Sequence, residues 1–127
     1  MDTVRKINDE LAIAGQITSQ QLQQIADEGY KSVLNLRSSD EKDLWDKEQE
    51  KTEFLGLYYF HLPIKNAKIS HQTALQVFQI IRELPKPILI HCDNSMRSAA
   101  IVLLYIATKQ GITFEIALQK TIKLGLF

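Results

Sequence analysis

The chain has 127 residues, 45% of them hydrophobic, enough to enclose the core of one compact domain and too few for two. Fifteen basic and fifteen acidic side chains cancel, so no net field selects nucleic acid or an anionic membrane as a partner. The single cysteine excludes an internal disulfide and a thiolate cluster for zinc or iron, which makes a reducing, cytoplasmic setting the expectation.

The opening ten residues have no apolar signal-peptide core. Leu11 to Ala14 predicts a short strand closed by Gly15. Thr18 offers a helix N-cap with Gln21 as capping-box partner, Leu22, Ile25 and Ala26 mark the buried face, and Gly29 is the stop. Ser32 to Leu36 is β-branched and apolar and predicts a second strand, followed by a polar loop from Arg37 to Glu41. Residues 37 to 53 hold seven acids against four bases and read as a solvated face, with helix-forming composition to Leu55 but weak periodicity. After Gly56, the aromatic-rich run Leu57 to Leu62 predicts a third strand ending at Pro63.

Ser70 caps a predicted helix in which Ala74, Val77, Phe78, Ile81 and Leu84 recur at helical spacing, ended by Pro85-Lys86-Pro87. Ile88-Leu89-Ile90 has the continuous apolar character of a strand buried on both faces. The helix from Arg97 is almost wholly apolar over Ala99 to Ala107, far short of the ~20 residues that span a bilayer, so a soluble protein is expected. Gly111 stops it, and Thr113 caps a last helix with Phe114, Ala117, Leu118 and Ile122 inward. No repeat or linker divides the chain, so residues 1–127 are read as a single α/β domain: a mostly parallel central sheet of four to five strands with helices on both faces. Such sheets bind ligands at the carboxyl ends of their strands, and the most buried strand here ends at His91-Cys92.

The segment from Ile88 to Ala100 carries the chemistry. Cys92 stands between a buried strand and a buried helix, at the head of a short loop of Asp93, Asn94, Ser95, Met96 and Arg97. Successive backbone N–H groups of such a loop converge into an anion nest, and the helix N-terminus adds unsatisfied donors and the positive end of its dipole. The same surroundings favour a thiolate at Cys92, a nucleophile that needs no separate base. Arg97 has the planar fork that grips two oxygens of a phosphoryl group, which lysine lacks. Ser98 follows as a hydroxyl donor to stabilise the thiolate as a leaving group. An arginine at the start of an apolar helix opposes the helix dipole, which points to a bound anion. His91, closing a buried strand, is assigned to orient the loop, not to move protons.

His91-Cys92, four residues, then Arg97-Ser98 resembles the cysteine-based tyrosine and dual-specificity phosphatases. The four-residue spacing, one shorter than usual, is similar to their nonclassical bacterial branch, also found fused to β-lactamase-like hydrolases. Further matches are Gly15-Gln16, Gly29-Tyr30, Val33, Asn35-Leu36-Arg37, Glu41 and His61-Leu62-Pro63, so the resemblance spans nearly the whole chain. It implies hydrolysis of phosphomonoesters, phosphotyrosine-like or of dual specificity, through a phospho-cysteine, with no cofactor or metal. The implied partner is a phosphorylated protein or small phosphoester, not nucleic acid or membrane. Ser95 stands where the branch usually has glycine, and Asp93 sets a carboxylate beside the anion site. The loop after the third strand, where such enzymes usually carry an aspartate as general acid, reads Pro63 to Lys68 without a carboxylate; Asp40, Glu41 and Asp93 are the candidates instead. Two other readings stand beside this one. A rhodanese-like sulfurtransferase would carry a persulfide on Cys92, and a pseudophosphatase would bind a phosphorylated ligand without turnover.

Overall fold

The computed structural model describes residues 4–38, 47–64, 70–93 and 96–124. Five strands form one sheet in the order β1 (Arg5–Lys6), β2 (Leu11–Ala14), β5 (Ile88–His91), β3 (Ser32–Asn35) and β4 (Tyr58–His61). All pairings are parallel except that of β1 with β2. This first hairpin was not anticipated from the sequence. It turns on Asn8, whose Oδ1 accepts from the backbone N–H groups of Glu10 and Leu11 at 2.8 and 2.9 Å, the local side-chain bonding that makes asparagine a turn residue.

Alternation along the strands divides the core. Leu11, Ile13, Leu34, Ile88 and Ile90 point to one face and pack with α3 (His71–Glu83), α4 (Met96–Lys109) and α5 (Phe114–Lys123). Ala12, Ala14, Val33 and Leu89 point to the other, where Leu22 and Ile25 of α1 (Ser19–Asp27) cover them. Helices on both faces explain why β2, β3 and β5 are buried throughout.

The expected caps at Thr18, Ser70 and Thr113 are present, and Thr18 with Gln21 closes a complete capping box. Gly29 follows the first helix at φ 95°, a left-handed conformation that glycine adopts without a Cβ penalty. Two expectations differ from the structure. Ile122 is half exposed, and α5 instead buries Ala117 and Thr121. The acidic run is not a uniformly solvated face: α2 (Glu48–Phe54) buries Glu48 and Thr52, one turn apart, and Arg37 and Ser38 are buried as well. Among the described residues no helix is long and apolar enough to cross a membrane.

Strand register brings the chemistry-bearing segments together. Ala14 aligns with His91, His91 with Asn35, and Asn35 with His61, so four parallel strands end level. Pairing runs past these ends: Cys92 N–H donates to Ala14 O (3.2 Å), Leu36 N–H to His91 O (2.9 Å) and Leu62 N–H to Asn35 O (2.9 Å). The described residues just beyond, Cys92, Leu36 and Leu62, are gathered on one rim.

Candidate active site

Cys92 is fully buried where β5 gives way to the loop before α4. Its Sγ accepts the backbone N–H of Ser98, in the first turn of α4, at 3.5 Å. A sulfur that receives a helix N-terminal donor lies at the positive end of that helix, as expected for a cysteine at a strand-to-helix junction. The hydroxyl of Ser98 is buried and has no hydrogen-bond partner among the described residues, so the contact to the sulfur comes from the Ser98 backbone.

Arg97 is 4% exposed, an unusual state for a guanidinium at a helix start. Its Nη1 donates to Ile64 O at 2.6 Å and lies 3.4 Å from Leu36 O, carbonyls just beyond β4 and β3. Its Nη2 meets Asp93 Oδ1 at 3.1 Å. Two backbone carbonyls therefore hold one side of the fork, and a half-exposed carboxylate holds the other. Met96 opens α4 and is 43% exposed. Asn94, Ser95, Asp40 and Glu41 lie outside the described residues. Of the candidate acids, only Asp93 is described; its backbone O accepts from Gln16 N–H at 3.2 Å while its carboxylate engages Arg97.

Behind the loop lies a polar web that the sequence reading did not assemble. His91 is fully buried, and its Nε2 is hydrogen-bonded to Oε2 of Glu48, itself 1% exposed. Gln16 Nε2 donates to Glu48 Oε1 at 3.0 Å and to Ile17 O at 3.1 Å, while Gln16 Oε1 accepts from Arg37 Nη1 at 2.6 Å. The Arg37 backbone joins too: its N–H donates to Asn35 Oδ1 (2.9 Å), and its O accepts from His61 Nε2. Asn35 Nδ2 reaches Tyr59 Oη at 2.9 Å, and burial pushes the Tyr59 phenol up to about 12, with the Glu48 carboxylate adding to the rise and the Asn35 bond opposing it. Gln16, Asn35, Arg37 and His61 stood out in the sequence only as points of resemblance. Glu48 had no signal of its own within an acidic helix.

A cavity of about 610 Å³ lies elsewhere, lined by Phe78 and Arg82 of α3, Tyr105 and Lys109 of α4, and Phe114. It contains none of these residues of the web. The convergent polar groups, not this cavity, mark the candidate site. Among the described residues no group of three or more His, Cys, Asp or Glu side chains is arranged to hold a metal.

Residues 3–124 match the family described as DSP-PTPase phosphatase fused to NAD+ kinase. The chain belongs to that family. Over 102 residues this DSP-PTPase family member is 31% identical to the β-lactamase hydrolase-like protein of Xylella fastidiosa strain Temecula1, a match covering 77% of the chain and 23% of that relative. The chain thus spans about a quarter of the length of the relative it matches. The DUF442 protein of Shewanella putrefaciens CN-32 superposes with a TM-score of 0.79 at 20% identity, covering 91% of this chain and 75% of that one. A cysteine-to-serine form of P. aeruginosa TpbA in complex with pTyr superposes at 0.71 with 16% identity, covering 98% and 74%. These likenesses establish a phosphatase fold of the dual-specificity and tyrosine type.

Proposed function

We propose that this member of the DSP-PTPase family is a cysteine-dependent phosphatase acting on phosphomonoesters, with Cys92 as nucleophile and Arg97 as phosphate clamp. The observation that carries the reading is the arginine. A guanidinium 4% exposed, aligned by Ile64 O, and one residue from the N–H that serves Cys92 Sγ supports the reading of an anion clamp. Burial of so polar a group with one Nη engaged by a displaceable carboxylate is costly unless it serves a ligand.

In the first step the Cys92 thiolate attacks phosphorus; the S–P bond forms, the bond from phosphorus to the ester oxygen breaks, and that oxygen leaves with a proton. In the second step water attacks phosphorus and gives a proton to the carboxylate that the donor has become, the S–P bond breaks, inorganic phosphate departs and the thiolate returns. Negative charge on the equatorial oxygens is met by Arg97 and by the N–H groups at the start of α4. The proton donor is assigned among Asp40, Glu41 and Asp93, the last freed for the role once phosphate displaces its carboxylate from Arg97. Aryl phosphates, with better leaving groups, depend on that donor least. The pTyr complex of TpbA supports phosphotyrosine-like substrates as the class to try first, within a phosphorylated protein or as a small ester.

Incubation with para-nitrophenyl phosphate, and separately with thiosulfate and cyanide, tests the assignment beside Cys92→Ser. Nitrophenol release that vanishes in the variant is the expected result. Thiocyanate formation would instead make the protein a sulfurtransferase, and no turnover of either substrate would leave an anion binder.

A further inference from the structure

We propose that Glu48 is a positioning residue for the Cys92 loop, the last link in a hydrogen-bond relay from Arg37 through Gln16 that sets which ring nitrogen of His91 carries the proton. The turnover part of this proposal rests on the phosphatase reading above; the protonation part does not.

The relay has a direction because one end can only donate. An arginine side chain has no acceptor, so Gln16 Oε1, 2.6 Å from Arg37 Nη1, must be the oxygen of its amide. The amide NH2 then faces Ile17 O and Glu48 Oε1, at 3.1 and 3.0 Å, and both accept. Two independent partners therefore fix the same amide orientation. With one carboxylate oxygen taken by Gln16, the other abuts His91 Nε2. A carboxylate only accepts, so Nε2 carries the hydrogen of this bond. Nδ1 is buried and has no hydrogen-bond partner among the described residues. His91 immediately precedes the nucleophile, and its backbone O anchors Leu36 N–H. The orientation of this ring is thus dictated from three other places in the fold, beyond β2, beyond β3 and at the first turn of α2.

Glu48→Gln is nearly isosteric and separates this role from simple packing. The new side chain has one oxygen, which the Gln16 NH2 demands. Its own NH2 is then turned to His91 Nε2, two donors meet, and the proton must move to Nδ1. A substitution that leaves the volume unchanged therefore reverses the ring.

Long-range proton–nitrogen NMR of the imidazoles, with His91→Gln for assignment, reads the state directly. The expected native spectrum has His91 Nε2 protonated, and that of Glu48→Gln has it bare. Steady-state rates on para-nitrophenyl phosphate should show kcat reduced roughly tenfold or more in Glu48→Gln, as losing a supporting partner does in other sites, with KM little changed. A native spectrum with Nε2 bare, the sign of a Glu48 hydroxyl donating to it, contradicts the relay. So does a reversed ring with kcat unchanged. If Glu48→Gln fails to fold, the native spectrum still decides. If the native chain turns over no ester, the phosphatase reading fails by itself and the nitrogen spectra judge the relay.

Discussion

At the scale of single residues, the contest between Asp93 and phosphate for Arg97 is the feature with the clearest consequence. The carboxylate holds Nη2 at 3.1 Å while being 39% exposed, so it is both engaged and replaceable. A partly exposed pair of this kind contributes at most about 1 kcal/mol. Asp93→Asn should therefore tighten inhibition by inorganic phosphate roughly two- to fivefold at constant ionic strength; weaker inhibition would mean that Asp93 helps the anion bind. Arg97→Lys removes the paired donors while keeping the charge, and kcat/KM should fall by about 10- to 100-fold, the worth of a charge-assisted hydrogen bond. Tyr59 gives a pH signature. Its phenol is raised from 10.0 to about 12, chiefly by burial, so between those values the unfolded chain loses a proton that the folded chain keeps. Stability from this group is fully present below about 10 and is lost as pH rises toward 12. In alkaline denaturation, Tyr59→Phe should flatten the fall across that window; an unchanged slope would place the loss elsewhere.

At the scale of elements, the helices were legible where their inner faces are apolar and their ends carry caps. Thr18 accepts from Gln21 N–H at 3.1 Å and Gln21 Oε1 accepts from Thr18 N–H at 2.9 Å, so the sequence pattern and the observed bonds coincide. Thr18→Ala should cost about 1 kcal/mol in urea unfolding, the usual worth of an N-cap. The α2 helix was faint because its inward side chains are Glu48 and Thr52, which no hydrophobic periodicity can reveal. Thr52 Oγ1 donates back to Glu48 O at 2.7 Å, and the Glu48 carboxylate finds Gln16 and His91, so the buried polar groups are satisfied by partners distant in sequence. The β1 strand was missed for another reason: two exposed residues carry no burial pattern, and only the Asn8 turn announces them. Ile122 was misassigned because α5, a surface helix, turns Ala117 and Thr121 inward.

For the whole molecule, the alternation of strands and helices foretold a parallel sheet covered on both faces, since strands joined by helices can pair in no simpler way. Strand order was not written in any local pattern. Placing β5 between β2 and β3 brings residues 11–14, 32–35 and 88–91 side by side and ends them level. The placement of Cys92 and Arg97 was legible because it is local, five positions apart across one strand-to-helix junction. The Gln16, Arg37 and Glu48 web was not, because it exists only once that register is set. The rigidity of the junction depends on the core beneath it. Ile101 of α4 is fully buried against the sheet, and Ile101→Ala should destabilise the fold by about 2–5 kcal/mol.

The central claim is a phosphoryl group carried on Cys92, and intact-mass analysis after rapid acid quench of the protein with para-nitrophenyl phosphate tests it most directly. A single phosphoryl adduct on the peptide containing Cys92, absent from Cys92→Ser together with turnover, is the predicted result. Hydrolysis that persists at the native rate in Cys92→Ser would contradict the account.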